Sequence, residues 1–304
     1  MTSEYFGITK ENTMKAFCAA IATIAAASSA FAAKTEYYYQ PAAGKQALEL
    51  SYDYKDVPAK IDNGTTESDF KVQSNDLVID YAYGFNANNA IGANTFFGNA
   101  KTTSGSNDNT ASGLGDIHAY YKGFTDIWHY GADLGLSLDK MKMVQKSGSS
   151  FQDNRSSGGM SFKANGGLLI DDGGLNYGAD LSYTHFFERE TDETPASKTT
   201  GGDTVKVAGF TEYNYGPGFV GGELSYNLVS SETIAQSGSA DAKSKAEGFF
   251  GLKVNGSYDF NEMFTGLASI GFDMHSTHDL AEDSTTEIKA YNATEIKIGA
   301  RMNF

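Results

Sequence analysis

From Leu48 onward the chain alternates between apolar and polar side chains. Leu48, Leu50, Tyr52 and Tyr54 are separated by Glu49, Ser51 and Asp53. A period of two sends successive side chains to opposite faces of an extended strand. The same alternation recurs over 77–83, 91–97, 117–121, 128–138, 160–170, 175–183, 205–215, 220–228, 250–258, 264–274 and 296–304. One face of each segment carries Leu, Ile, Val, Tyr and Phe. The other carries Gly, Ser, Asn and charged residues. About twelve strands are predicted, each of the length a strand needs to cross a bilayer.

The connections alternate as well. Short ones are expected at 86–89, 125–126, 171–174, 216–218 and 259–261. Longer, polar loops are expected after the first strand and at 101–112, 140–158, 189–202 and 230–245. Short turns at one end and long loops at the other predict an all-β, antiparallel, up-and-down transmembrane β-barrel with both termini in the periplasm. A soluble β-sandwich also alternates, but it has no need of the strict short-long rhythm, and its wet face carries more Lys, Glu and Thr. Closure into a barrel also leaves no unpaired edge in lipid.

One stretch is continuously apolar, AFCAAIATIAAASSAFAA over residues 16–33, behind Met14 and Lys15. A basic start, an Ala-rich run and Ala30-Phe31-Ala32 at its end predict a secretory signal peptide cleaved after Ala32. A membrane anchor is the alternative, made weaker by the small residues at the end of the run. The organisation read from the chain is therefore a polar leader with a misassigned start at 1–13, a signal peptide at 14–32, a periplasmic N-terminal segment at 33–44 and the barrel at 45–304.

Composition narrows the choice of function. The 304 residues carry a net charge of −15, which argues against nucleic acid as a partner. The single cysteine, inside the apolar run, leaves no disulfide framework and no multi-cysteine zinc site. No cofactor and no metal are expected. The 18 Tyr and 20 Phe cluster beside the short turns, as Tyr81, Tyr83, Phe85, Phe124, Trp128, Tyr130, Tyr213, Tyr215, Phe219, Tyr258, Phe260 and Phe264. On one barrel these rings predict a headgroup-level girdle.

The apolar leader, the alternating strands and the final Ile296-x-Ile298-x-Ala300-x-Met302-x-Phe304 together resemble Gram-negative outer-membrane β-barrel proteins. The resemblance spans residues 33–304 and singles out no porin subfamily. It implies residence in the outer membrane, contact with membrane lipids and lipopolysaccharide, and recognition of the terminal strand by the barrel-assembly machinery. Ile296, Ile298, Ala300, Met302 and Phe304 would form that assembly signal.

By parity the polar face lines a lumen. Its acids are Glu49, Asp53, Asp80, Asp116, Asp133, Asp180, Glu212, Glu223, Glu247, Asp273, Glu287 and Glu295. Its bases are Lys55, Lys122, Lys163, Lys206, Lys253, Lys289, Lys297 and Arg301. Twelve strands give a backbone radius of roughly 12 Å. Charges of both signs with acids in excess predict a porin-like channel for ions and small hydrophilic solutes, with a mild cation preference. Cross-strand pairing of the same charges would instead fill the lumen and leave a structural or surface-interaction barrel acting through its loops. Only three arginines occur, at 155, 189 and 301, so a clustered arginine constriction is not expected. Segment 140–158 either folds into the mouth or stays exposed.

Enzymatic readings are weaker. The stretch 266–271 lacks the spacing of a nucleophile elbow. His185 points outward by parity without a companion serine. His275-x-x-His278 at a strand end is more simply solvated than metal-bound. No enzymatic activity and no catalytic residue are expected.

Overall fold

The computed structural model describes residues 37–304, apart from 63, 126, 147–148, 193–196, 237–240 and 280–285. The signal peptide and its cleavage point lie outside the described residues. Twelve antiparallel strands form the wall: β1 (Gln46–Asp62), β2 (Glu67–Asn86), β3 (Asn89–Ser104), β4 (Ile117–Thr125), β5 (Trp128–Leu136), β6 (Met160–Asp172), β7 (Leu175–Phe186), β8 (Thr204–Asn214), β9 (Gly218–Val229), β10 (Glu247–Asp259), β11 (Phe264–His275) and β12 (Tyr291–Asn303). Each pairs with its neighbour in sequence. β12 returns to β1 over Ala47↔Asn303 to Asp56↔Thr294, which closes the barrel. At the seam, the Phe304 amide donates to the Gln46 carbonyl at 3.0 Å and the Gln46 amide to the Phe304 carbonyl at 2.8 Å. Closure satisfies the backbone groups that a free edge would leave bare.

Register follows the alternation. A slip of one residue would carry every apolar side chain to the lumen. The apolar set instead stands outside and uncovered by protein: Leu224 is 58 % exposed, Val207 54 % and Ile298 61 %. The polar set faces inward. Tight turns sit at one end; between β6 and β7, Gly173 (φ 61°) and Gly174 (φ 105°) form a two-residue turn of the kind that requires positive φ at both positions.

Three expectations need correction. The long polar connections carry strands of their own. β1 and β2 pair without interruption from Gln46↔Tyr83 to Asp62↔Glu67, leaving only 63–66 as connection. Asn107–Leu114 folds back on β3 as a hairpin. Arg189–Glu190, Ser197–Gly201, Glu232–Gln236 and Ala242–Lys243 build a small four-stranded sheet at the same end. Thr- and Val-containing segments pair readily once a neighbouring strand templates them. Second, Phe124 does not join the girdle. It is 2 % exposed and packs inside the barrel with Leu169 and Phe210, whereas Trp128, Tyr213, Tyr258 and Phe260 are exposed on the outer face. Third, the segment assigned to the periplasm at 33–44 enters the lumen over its described residues 37–41, where Gln40 and Pro41 are buried.

Candidate functional site: the lumen

The inner face is built by every second residue of twelve strands, so its groups come from all parts of the chain. A central chamber of about 460 Å³ is bounded by Glu49, Asp80, Asp180 and Glu223 among the acids. Its bases are Lys122, Lys163, Lys206, Lys253, Lys297 and Arg301. All ten belong to the predicted lining. Several meet as pairs: Lys297 Nζ lies 2.8 Å from Glu49 Oε1, and Lys206 donates to Glu223. Tyr120 donates to Asp80, and Lys122 Nζ lies 4.5 Å from the centre of the Tyr120 ring. Gly92 makes room for that ring, since a Cβ there would stand 2.3 Å from Tyr120 Cζ.

The other predicted residues lie outside the chamber. Toward the long-loop end, Asp133 meets His118 Nδ1 at 2.7 Å, and Asp116 accepts from Ser137 Oγ at 2.9 Å and from the Ser157 amide at 3.2 Å. Glu247 takes His275, whose ring lies between Phe249 at 4.2 Å and Tyr291 at 4.3 Å. His278 Nδ1 is 3.5 Å from the same carboxylate. Asp273 and Glu295 lie half-buried on β11 and β12. Toward the tight-turn end, Glu212 is only 1 % exposed. Glu287 and Lys289 lie 2.9 Å apart, with Lys289 also 3.0 Å from Asp62. They precede β12, and Glu287–Ile288 forms a short strand that pairs with Ile61 and Asp62 at the end of β1.

Segment 140–158 folds inward. Arg155 Nη2 donates to both carboxylate oxygens of Asp76 on β2, at 2.9 and 2.7 Å, and its guanidinium lies 5.0 Å from the Phe96 ring. Phe151 is 3 % exposed, and Asn109 Nδ2 reaches the Gln152 carbonyl at 2.7 Å. Beside this anchor a second cavity of about 480 Å³ is bounded by Asp53, Lys55, Val57, Val72 and Arg155. Arg155→Ala is expected to cost the docked segment about 1.5–3 kcal/mol, the range for hydrogen bonds between charged groups. Hydrogen exchange at the Ser157 and Gly158 amides checks this: it should speed up, and unchanged protection would assign the docking to other contacts.

The largest feature absent from the sequence reading is the N-terminal strap. Tyr37 stacks on Phe210 with centroids 3.9 Å apart and planes 9° from parallel, and its hydroxyl donates to Glu223. The Tyr38 ring lies 3.7 Å from His129 and edge-on to Phe124 at 5.9 Å. Its hydroxyl donates to Asp180 and accepts from Asn165 Nδ2 at 2.8 Å. Tyr39 donates to Asn303 at 2.6 Å, with the Arg301 guanidinium 3.4 Å from its ring centre. Burial, and next the charge of Glu223, hold the Tyr37 phenol well above its ordinary pKa; burial and Asp180 do the same for Tyr38. Both hydroxyls therefore remain protonated donors. Three consecutive tyrosines before the first strand, and Phe124 and Phe210 on the polar parity, were the signals available in the sequence.

Comparison with known proteins defines the class. The COG4313 outer membrane channel from Pseudomonas putida F1 matches with a TM-score of 0.62 and 12% identity, over 90% of this chain and 100% of that one. The translocator domain of the autotransporter NalP from Neisseria meningitidis matches with a TM-score of 0.52 and 11% identity, over 97% of this chain and 95% of that one. The fold is that of outer-membrane β-barrel proteins. No protein-family model matches the sequence, and no curated protein matches it significantly.

Proposed function

We propose that this chain is an outer-membrane channel for passive diffusion of ions and small hydrophilic solutes. The observation that carries the reading is the polar central chamber of about 460 Å³, lined by charges of both signs inside an apolar outer belt. On this reading lipid and lipopolysaccharide cover the belt. The barrel-assembly machinery acts on the terminal strand, where Ile298 is exposed and Met302 is tucked against its neighbours at 5 %. Short turns then face the periplasm and long loops the exterior.

The cation preference rests on the outer vestibule, where Asp116, Asp133, Glu247, Asp273 and Glu295 lie. The chamber opposes it, with six bases against four acids. Lys163→Gln/Lys253→Gln is therefore expected to strengthen cation selectivity, read as a shift of reversal potential in a salt gradient across a planar bilayer. A purified protein with no conductance above a closed-barrel control would sink the channel reading. An unmoved reversal potential would sink the selectivity assignment alone.

A second reading, a structural or surface-interaction barrel, is favoured by the strap inside the lumen. It predicts surface binding that survives lumen neutralisation and disappears on deletion of 140–158. We also read the barrel as non-enzymatic. The support is local: the His185 imidazole meets Asp203 at 3.0 Å, and the same carboxylate accepts from Tyr183 at 2.6 Å.

A further inference from the structure

We infer that the lumen contains a receptor site for phenols, occupied in this structure by the protein's own Tyr37 and Tyr38. The two rings are held by the same chemistry built twice. Each has an aromatic platform, Phe210 at 3.9 Å for Tyr37 and His129 at 3.7 Å for Tyr38. Each has a carboxylate at the far end of the ring to accept the hydroxyl proton, Glu223 and Asp180 respectively. A hydroxyl donor to a carboxylate makes a charge-assisted bond, and the ring stack adds to it.

The platforms and acceptors belong to the wall, not to the strap. Phe210 lies on β8, Glu223 on β9, Asp180 on β7 and His129 on β5, where strand pairing fixes them whether or not the strap is in place. The strap is anchored at its foot, where the Gly44 amide donates to the Gly84 carbonyl at 2.6 Å and the Gly84 amide to the Lys45 carbonyl at 2.9 Å. Its tyrosines therefore act as tethered ligands, with the advantage in effective concentration that tethering confers. The chemistry selects against other small solutes. An ionised aromatic carboxylate has no proton to donate to Glu223 or Asp180. An aliphatic alcohol has no face for the platforms. An aryl ether offers no proton. The class that fits is the uncharged, para-substituted phenol.

The inference deepens the channel reading by naming a solute class for its lumen, and its test does not depend on ion flow. The full-length Tyr37→Ala/Tyr38→Ala protein, in detergent, is titrated calorimetrically with p-cresol, the side-chain analogue of tyrosine. Saturable binding is expected, at least tenfold tighter than to the wild-type chain, whose own tyrosines compete. The methyl ether 4-methylanisole should bind at least tenfold more weakly than p-cresol. Adding Phe210→Ala and His129→Ala together, which removes both platforms, should abolish the tighter binding. Equal binding to wild type and variant, or equal binding of phenol and ether, overturns the inference. Heat-modifiable gel mobility checks that the variant is folded. Should the double variant not fold, Tyr37→Ala alone uncovers the Phe210–Glu223 half and is titrated in its place. Saturable phenol binding by a protein that carries no current would retire the channel reading and leave the receptor site standing. Current without phenol binding would do the reverse.

Discussion

Replacing Tyr37, Tyr38 and Tyr39 by alanine in the full-length chain is expected to raise single-channel conductance by about threefold or more, since current through a water-filled pore scales with its open section. The three side chains cross the lumen at the level of Glu223, Asp180 and Arg301. With them, Glu212 beyond is 1 % exposed and Pro41 is fully buried. Without them, the carboxylates of Glu223 and Asp180 face water. The wall itself should hold, because none of the three tyrosines belongs to a barrel strand. Planar-bilayer recordings of wild type and variant side by side check the expectation. Equal conductance would mean that the strap already lies outside the conducting lumen, or that the constriction is at the Arg155 anchor.

Leu224→Arg is expected to destabilise the barrel by about 2–4 kcal/mol, the cost of an arginine on the lipid face near the bilayer midplane. Leu224 lies near the middle of β9 and is 58 % exposed on the outer wall, among Val207, Tyr226 and Leu252. A charge there has no protein partner and must draw water or headgroups toward it. Urea unfolding from liposomes, read by tryptophan fluorescence at Trp128, measures the change. Lys163→Gln on the lumen face serves as the contrast and should leave the midpoint nearly unmoved. If both variants behave alike, the outer belt is not in hydrocarbon and the membrane assignment fails.

The two variants divide the molecule along the line that separates what was legible in the sequence from what was not. Leu224 was legible. Alternation over 220–228 puts it opposite Glu223, and parity alone assigns the two to different faces. The same rule placed all ten charged chamber groups on the inner wall, because strand geometry leaves only two directions for a side chain. Tyr37 to Tyr39 were not legible as lumen residues. They precede the first strand, where no periodicity assigns a direction. Phe124 and Phe210 sit on the polar parity, yet aromatic residues are common on any strand. Only when Tyr37 and Tyr38 pack against them does their inward position acquire a use. Arg155 was visible as one of three arginines, but its partner Asp76 lies 79 positions away. Nothing in spacing joins them.

Alternation along the chain is enough to define the wall: twelve strands, their two faces and their tight turns. It suffices because a closed antiparallel barrel is a repeated local rule, and each strand obeys it independently. What occupies the lumen depends on closure of the barrel. Strap, loop anchor and chamber arise where residues distant in the chain meet across the barrel, and their distances depend on closure rather than on any segment's own pattern.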